Sequence, residues 1–258
     1  MTGKFLAALG LIAGLGLGAA QAEELVVGAY PANPPWEYKT ETGDFEGFEV
    51  DLVKEVASRL GRDLEIRDMG FQALFAATAS GRIDLAISTV SITEERLQSQ
   101  SFTQGYYDAD LGLVTASDGP VKSLEDMRGQ IVGTLAASSG EAWIRAHEAE
   151  KGFTEVRTYP DQNSLLLDVA AGRVAGAIND EYGFQVQASK MKGITVVETI
   201  PTGDQYALML GKGSPLLEPV NDAITAMKED GTMARIYETW LGAPPREGSS
   251  TVTVLPIP

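Results

Sequence analysis

Cysteine is absent from all 258 residues. That excludes a disulfide framework, thiol chemistry and a lipidated N-terminal cysteine, so a packed core has to hold the fold together. Histidine is nearly absent too. His147, the single copy, falls on a stretch with helical spacing amid charged neighbours, where a solvated position is expected. No His/Cys/Asp/Glu spacing suits a metal and no glycine loop suits a phosphate, so no metal and no cofactor are expected. Cations are scarce, 20 Lys and Arg against 36 Asp and Glu, for a formal charge of −16. Binding to nucleic acid or an anionic membrane surface needs clustered cations, and this balance argues against both.

Long apolar runs are missing beyond the N-terminus. Residues 1–22 read as a secretory signal: Lys4 is the positive start, Phe5 to Ala20 the apolar run, and Ala20-Gln21-Ala22 a small-x-small cleavage site before Glu23. The run is too short and too rich in Gly10, Gly14, Gly16 and Gly18 for a membrane anchor. The expectation is an exported chain, residues 23–258, long enough for one large or two small domains.

What the chain does contain is a repeated strand–helix rhythm. Leu25 to Ala29 reads as a buried strand, Gly47 to Leu60 as a helix stopped by Gly61, Leu64 to Arg67 as a strand and Gln72 to Ser80 as a helix. The rhythm starts afresh with strands Leu111 to Thr115 and Gln130 to Leu135, helix Ser138 to Glu150, strand Val156 to Tyr159, helix Asp161 to Ala171 and strand Val174 to Ile178. A strand Tyr206 to Leu210 and two helices, Pro215 to Lys228 and Thr232 to Leu241, close the pattern. The tail 243–258 is rich in Pro, Ser and Thr, and is expected to wrap the surface or to be mobile. Such alternation implies α/β architecture with parallel sheets. Ala79-Ser80-Gly81-Arg82-Ile83-Asp84-Leu85-Ala86-Ile87-Ser88-Thr89 also echoes Ala170-Ala171-Gly172-Arg173-Val174-Ala175-Gly176-Ala177-Ile178-Asn179-Asp180. Two lobes of one architecture would place Thr89 and Asp180 at strand ends facing a shared cleft.

Several residues in those positions carry chemistry. Thr93 is a good N-cap and Glu94-Glu95 suit a first helical turn, whereas the cation Arg96 opposes the helix dipole there. Its planar fork suits a carboxylate; a surface pair with Glu94, Glu95 or Asp84 is the alternative. Asp180 is a natural N-cap or, beyond its strand, a receiver for an ammonium group. Together the two would match both charges of an α-amino acid. Ser138-Ser139-Gly140-Glu141 has capping-box spacing, and a helix start with two hydroxyls is also an anion site. Tyr30, Trp36 and Phe71 fall near the loops after the first two strands. Lobe packing is the expectation for Trp36; Phe71, flanked by Gly70 and Gln72, is expected in an exposed loop over a ligand. The acidic run Asp44 to Asp51 lacks the order of a calcium loop and is expected to cap and solvate its helix.

The segments PPWEY (34–38), GFEVDLVKEVASRLG (47–61), SGRIDLAISTVSITEER (80–96), GRVAGAINDEY (172–182) and DGTMARIYETWLG (230–242) run in order along nearly the whole exported chain. In them the sequence resembles the periplasmic amino-acid-binding proteins of ABC importers, polar amino acid class. The resemblance implies a two-lobe periplasmic binding protein fold (type II) with the ligand in the interlobe cleft and two crossing hinge strands. Residues 23–109 and 205–242 would form one lobe and 110–204 the other. It implies a periplasmic monomer that closes on its ligand and hands it to the membrane permease subunits of an importer. By position, Arg96 would hold the ligand carboxylate with Thr89 and Ser139, Asp180 the ammonium with Ser88 and Ser91, and Phe71 would stack over the side chain.

Departures from the family pattern bear on the ligand. Members that take cationic or amide side chains commonly have Asp where Tyr30 stands, an aromatic common in that loop is replaced by Asn33, and Leu135-Ala136-Ala137 offers no charge. A neutral side chain, apolar or modestly polar, is therefore expected, on an amino acid or a derivative of one. Some relatives of the same fold are cyclohexadienyl dehydratases, which need a positioned general acid. Glu37, Glu141 and Glu181 are the cleft candidates, in contexts that do not single them out. A sensor that presents its ligand to a membrane kinase would look the same in sequence.

Overall fold

The computed structural model describes residues 23–258, so the signal segment expected over residues 1–22 lies outside the described residues. Two five-stranded sheets organise the chain. The first runs Asp63–Asp68, Glu24–Ala29, Leu85–Ile87, Met209–Gly211, Gln100–Phe102; the second runs Glu155–Tyr159, Ile131–Leu135, Gly176–Asp180, Tyr107–Ala116, Ile194–Tyr206. In each, three parallel strands are followed by an antiparallel one. The two sheets share one construction.

The echo seen in the sequence is the joint that builds both. Gly81 and Gly172 each sit at φ 68°, where a side chain would be strained. Behind each turn an arginine from the edge strand reaches the following carbonyl: Arg67 Nη1 donates to the Arg82 carbonyl at 2.9 Å, and Arg157 Nη1 to the Arg173 carbonyl at 3.0 Å. Strands Leu85–Ile87 and Gly176–Asp180 then enter their sheets fully buried.

Two long antiparallel strands, Tyr107–Ala116 and Ile194–Tyr206, join the bodies. They belong to the second sheet, while at their Tyr107 and Tyr206 ends Ala207 donates to the Val90 carbonyl and Ser91 bridges Tyr206. The boundaries expected near residues 109 and 204 fall inside these two strands. Ile194–Tyr206 did not stand out in the sequence because Pro201 and Gly203 interrupt it. The structure absorbs them as a shift of register between Ile200 and Asp204, the kind of irregularity that re-aims a strand.

Helices cover both sheets through apolar faces at helical spacing. Helix Phe48–Leu60 buries Phe48, Leu52, Val53 and Val56 and ends on Gly61 at φ 63°. Its first turn corrects one expectation. Glu49 does not solvate the helix; it is fully buried and points back into the lobe. The tail is not loose: Thr251 donates to the Tyr106 carbonyl at 2.9 Å and Lys228 Nζ to the Thr253 carbonyl at 2.9 Å, tying it beside the start of a crossing strand.

Gly47 turns the chain into that helix at φ 136°, with the Trp36 carbonyl where a Cβ would stand. Gly47→Ala is therefore expected to lower stability by about 1–3 kcal/mol, a strained φ compounded by a backbone collision. Urea unfolding checks it.

Candidate ligand-binding site

The strand ends of both sheets point at one small cavity. It is lined by Tyr30, Asn33, Phe71, Ser88, Thr89, Arg96 and Tyr206 from the first body and by Leu135, Ser138, Ser139, Gln162, Asn179 and Asp180 from the second. Its volume is about 20 Å3, room for about one water molecule. Side chains touch directly across it.

Arg96 lies at one end. Thr93 caps its helix by accepting from the Arg96 amide at 3.2 Å, which holds the guanidinium toward the cleft. Nη1 donates to the Ser91 carbonyl at 2.8 Å, and Nη2 reaches across to the Ala137 carbonyl at 2.9 Å. Phe75 lies 5.1 Å from the guanidinium carbon. Among the described residues Arg96 makes no ion pair, so the surface pair with Glu94, Glu95 or Asp84 is not formed. Burial lowers its pKa to about 10 while Asp204 and Glu95 oppose the fall; the group stays charged at neutral pH. Two N–H groups are used, and three of the five remain for an incoming anion.

Asp180 lies at the other end, at the mouth of a buried strand. It is the N-cap expected of it: Oδ2 accepts from the Gly183 amide at 2.8 Å. The same oxygen accepts from Trp36 Nε1 at 3.0 Å, and Oδ1 accepts from the Tyr206 hydroxyl at 2.7 Å. Both donors come from across the cleft. A carboxylate offers about four lone-pair positions; three are filled and Oδ1 keeps one for a cation in the cavity. Burial raises its pKa to about 6, against the pull of Tyr206, Trp36 and the Gly183 amide.

That value sets a pH window for a cationic guest. Above about pH 6 the carboxylate is ionised before and after binding, and affinity is level. Below it the free site holds a proton that an ammonium must displace, so affinity is expected to fall toward about tenfold per pH unit. Calorimetry at pH 4.5, 5.5 and 7.5 checks this, with proton release in the acidic runs.

The other expected contacts divide. Ser139, first residue of helix Ser139–Lys151, faces Arg96 in the cavity. Ser138 caps that helix, accepting from the Glu141 amide at 3.1 Å and donating to the Leu135 carbonyl at 2.7 Å; its hydroxyl is spent inside the second body. Phe71 is in the cavity wall but not in an exposed loop: it opens helix Phe71–Ala79 and is buried against Phe75. Ser91 is corrected. Its hydroxyl donates to Ser139 at 3.3 Å, on the Arg96 side rather than beside Asp180, and it does not line the cavity. Ser88 borders the cavity, yet its hydroxyl accepts from the Tyr30 amide at 3.0 Å. Thr89, at φ 47°, gives its amide to Glu49 at 3.0 Å and not to the cleft; its hydroxyl accepts from Asn33 at 3.2 Å.

Behind the Ser88–Thr89 wall lies a pair that composition concealed. Glu37 and Glu49 are both fully buried. Glu49 accepts from the Thr89 amide and from the Tyr106 hydroxyl. Glu37 lies against Glu49, Ser88 and Asn33 with no well-formed hydrogen bond to either oxygen. Burial first and the Glu49 charge second push its pKa well above the carboxylate range. Glu37 thus favours its protonated form more than an ordinary carboxyl does, beside a second buried carboxyl. Neither Glu37 nor Glu141 nor Glu181 lines the cavity, so none of these three acids faces a guest there.

Trp36 does pack, with Phe48, Tyr107, Tyr182 and Tyr206 around it, but its indole N–H is also an interlobe contact. Tyr206, Gln162 and Asn179 were not singled out by sequence. Asn179 alone had a signal, as the residue before Asp180 at the same strand end.

A family model described as bacterial extracellular solute-binding proteins, family 3, matches residues 25–243. The chain belongs to that family. It is 29% identical to the L-cystine-binding protein TcyJ of Escherichia coli over 227 residues, covering 85% of this chain and 83% of that protein. It is 31% identical to the histidine-binding periplasmic protein of the same organism, covering 86% and 89%. An ancestral arginine-binding protein bound to arginine superposes with a TM-score of 0.80 at 32% identity, covering 86% of this chain and all of that one. Family 3 membership makes the chain a two-lobe extracellular solute-binding protein with the cleft between the lobes, and the relatives named are binding proteins rather than enzymes.

Proposed function

We propose that this family 3 protein captures an α-amino acid with a neutral side chain in the periplasm and delivers it, as a monomer, to the membrane permease subunits of an ABC importer. The observation that carries the proposal is that Arg96 and Asp180 line one interlobe cavity, each with unused hydrogen-bonding capacity. A carboxylate meets the Arg96 fork and the Ser139 hydroxyl; an ammonium meets Asp180 Oδ1. The two bodies touch directly across this small cavity. Entry therefore requires the Arg96–Ala137, Ser91–Ser139 and Asp180 contacts to part, and the crossing strands are the place for the hinge.

The rest of the wall supports the neutral side chain. Tyr30, Asn33, Phe71, Leu135, Gln162 and Asn179 carry no charge, so a guanidinium or ammonium on the ligand would be buried without a counter-ion. The relatives named for histidine and arginine set the contrast. Calorimetric titration of the mature chain with the twenty amino acids tests the proposal: one or a few neutral ones should bind, and micromolar binding of arginine or lysine would overturn the neutral assignment.

A further inference from the structure

Among the described residues, Gln162 is a lining side chain with a buried polar atom that has no hydrogen-bond partner at all. It opens helix Gln162–Ala170 just after the N-cap Asp161 and is 3% exposed. Asn179 Nδ2 donates to its Oε1 at 3.5 Å, which leaves the amide nitrogen as the free end; Nε2 is buried with no partner among the described residues. An orphaned buried donor is costly, and where one persists in a cleft it has a use on binding. Tyr30 stands opposite. Its hydroxyl accepts from the Gln162 backbone amide at 3.4 Å, so the phenolic proton is also available for donation.

We infer that Gln162 and Tyr30 form a specificity subsite that reads an uncharged hydrogen-bond acceptor, an amide or hydroxyl oxygen, on the ligand's side chain. The inference rests on the amino-acid reading above and narrows it from neutral to neutral and polar. Two neutral donors in one wall reward an oxygen acceptor. A side chain of the same shape without the oxygen leaves Nε2 desolvated and unpaired. A carboxylate would satisfy the donors but bring a charge with no cation at that end, and an ammonium or guanidinium would set donor against donor.

Calorimetry with matched pairs separates these outcomes: asparagine against leucine, threonine against valine, and glutamine against norleucine. In the native protein the polar member of the best-bound pair should bind at least about tenfold more tightly, the ratio expected for one buried donor left unpaired. Gln162→Leu should bring that ratio close to one, and Tyr30→Phe should lower it partway. Because the ratio is taken within one protein, partial misfolding of a variant leaves it unaffected. Equal or tighter binding of the apolar members, or a ratio unchanged in Gln162→Leu, overturns the subsite while leaving amino-acid capture standing. Failure of every amino acid to bind overturns the underlying reading instead.

Discussion

Arg96→Ala is expected to weaken amino-acid binding by about 3–5 kcal/mol, more than two orders of magnitude in affinity, with little loss of folded stability. The magnitude is that of leaving one partner of a desolvated charge pair unmatched. The ligand carboxylate would enter a cavity where no other cation lines the wall. The fold loses hydrogen bonds to the Ser91 and Ala137 carbonyls, the second of which spans the cleft, and the guanidinium contact with the Phe75 ring. Arg96→Lys should not restore affinity. An ammonium cannot keep both carbonyls and present a planar fork to a carboxylate. Calorimetry with the best native ligand and a urea melt of the same variant separate the two effects.

Two buried carboxylates a few ångströms behind the cavity should respond to mutation with opposite sign. Glu49→Leu strips the acceptor from the half-buried Thr89 amide and the buried Tyr106 hydroxyl. At about 1–3 kcal/mol for each stranded donor, the loss is about 2–6 kcal/mol. Glu37→Gln keeps the shape, removes an ionisable group whose charge is disfavoured by burial and by Glu49, and offers an amide N–H to Glu49; stability at neutral pH should be equal or higher. The pH dependence follows from the direction of the Glu37 shift. Its folded pKa lies above the unfolded value, because burial and Glu49 disfavour its charge. Its contribution is therefore fully present below the ordinary carboxylate range and is lost as pH rises through the raised value. Groups facing it are Glu49, Tyr106 and Tyr30, none of them cationic. Stability should decline with rising pH in the native chain and hold level over that interval in Glu37→Gln.

These buried acids mark the limit of what the sequence discloses. Helical and strand spacing located the elements, because periodicity reflects which face is buried. The Gly-Arg joints revealed the repeated lobe, because φ near 68° at Gly81 and Gly172 demands glycine. Arg96 and Asp180 were legible because each breaks or exceeds its local role: a cation in a first turn, a cap at the end of a buried strand. The hydroxyl partners of Ser91 and Ser88 were not legible, because alternation fixes which residues face the cleft but not where a hydroxyl turns: Ser91 meets Ser139, and Ser88, in the cavity wall, meets the Tyr30 amide. Glu49 looked like a helix-start acid, and only the packing of Thr89 and Tyr106 against it shows otherwise. Trp36 and Tyr206 reach Asp180 from sequence distances of 144 and 26 residues, and no local pattern encodes such meetings. Gln162 is an ordinary first-turn residue until the second lobe is set against Tyr30.

The claim at the centre is that one cavity reads both charges of an amino acid. Calorimetric titration of the mature protein with its best-bound amino acid, the methyl ester of that amino acid and its N-acetyl derivative tests it directly. The account predicts binding of the free amino acid alone, since the ester removes the charge that Arg96 holds and acetylation removes the one that Asp180 holds. Either derivative binding as tightly as the parent would contradict it.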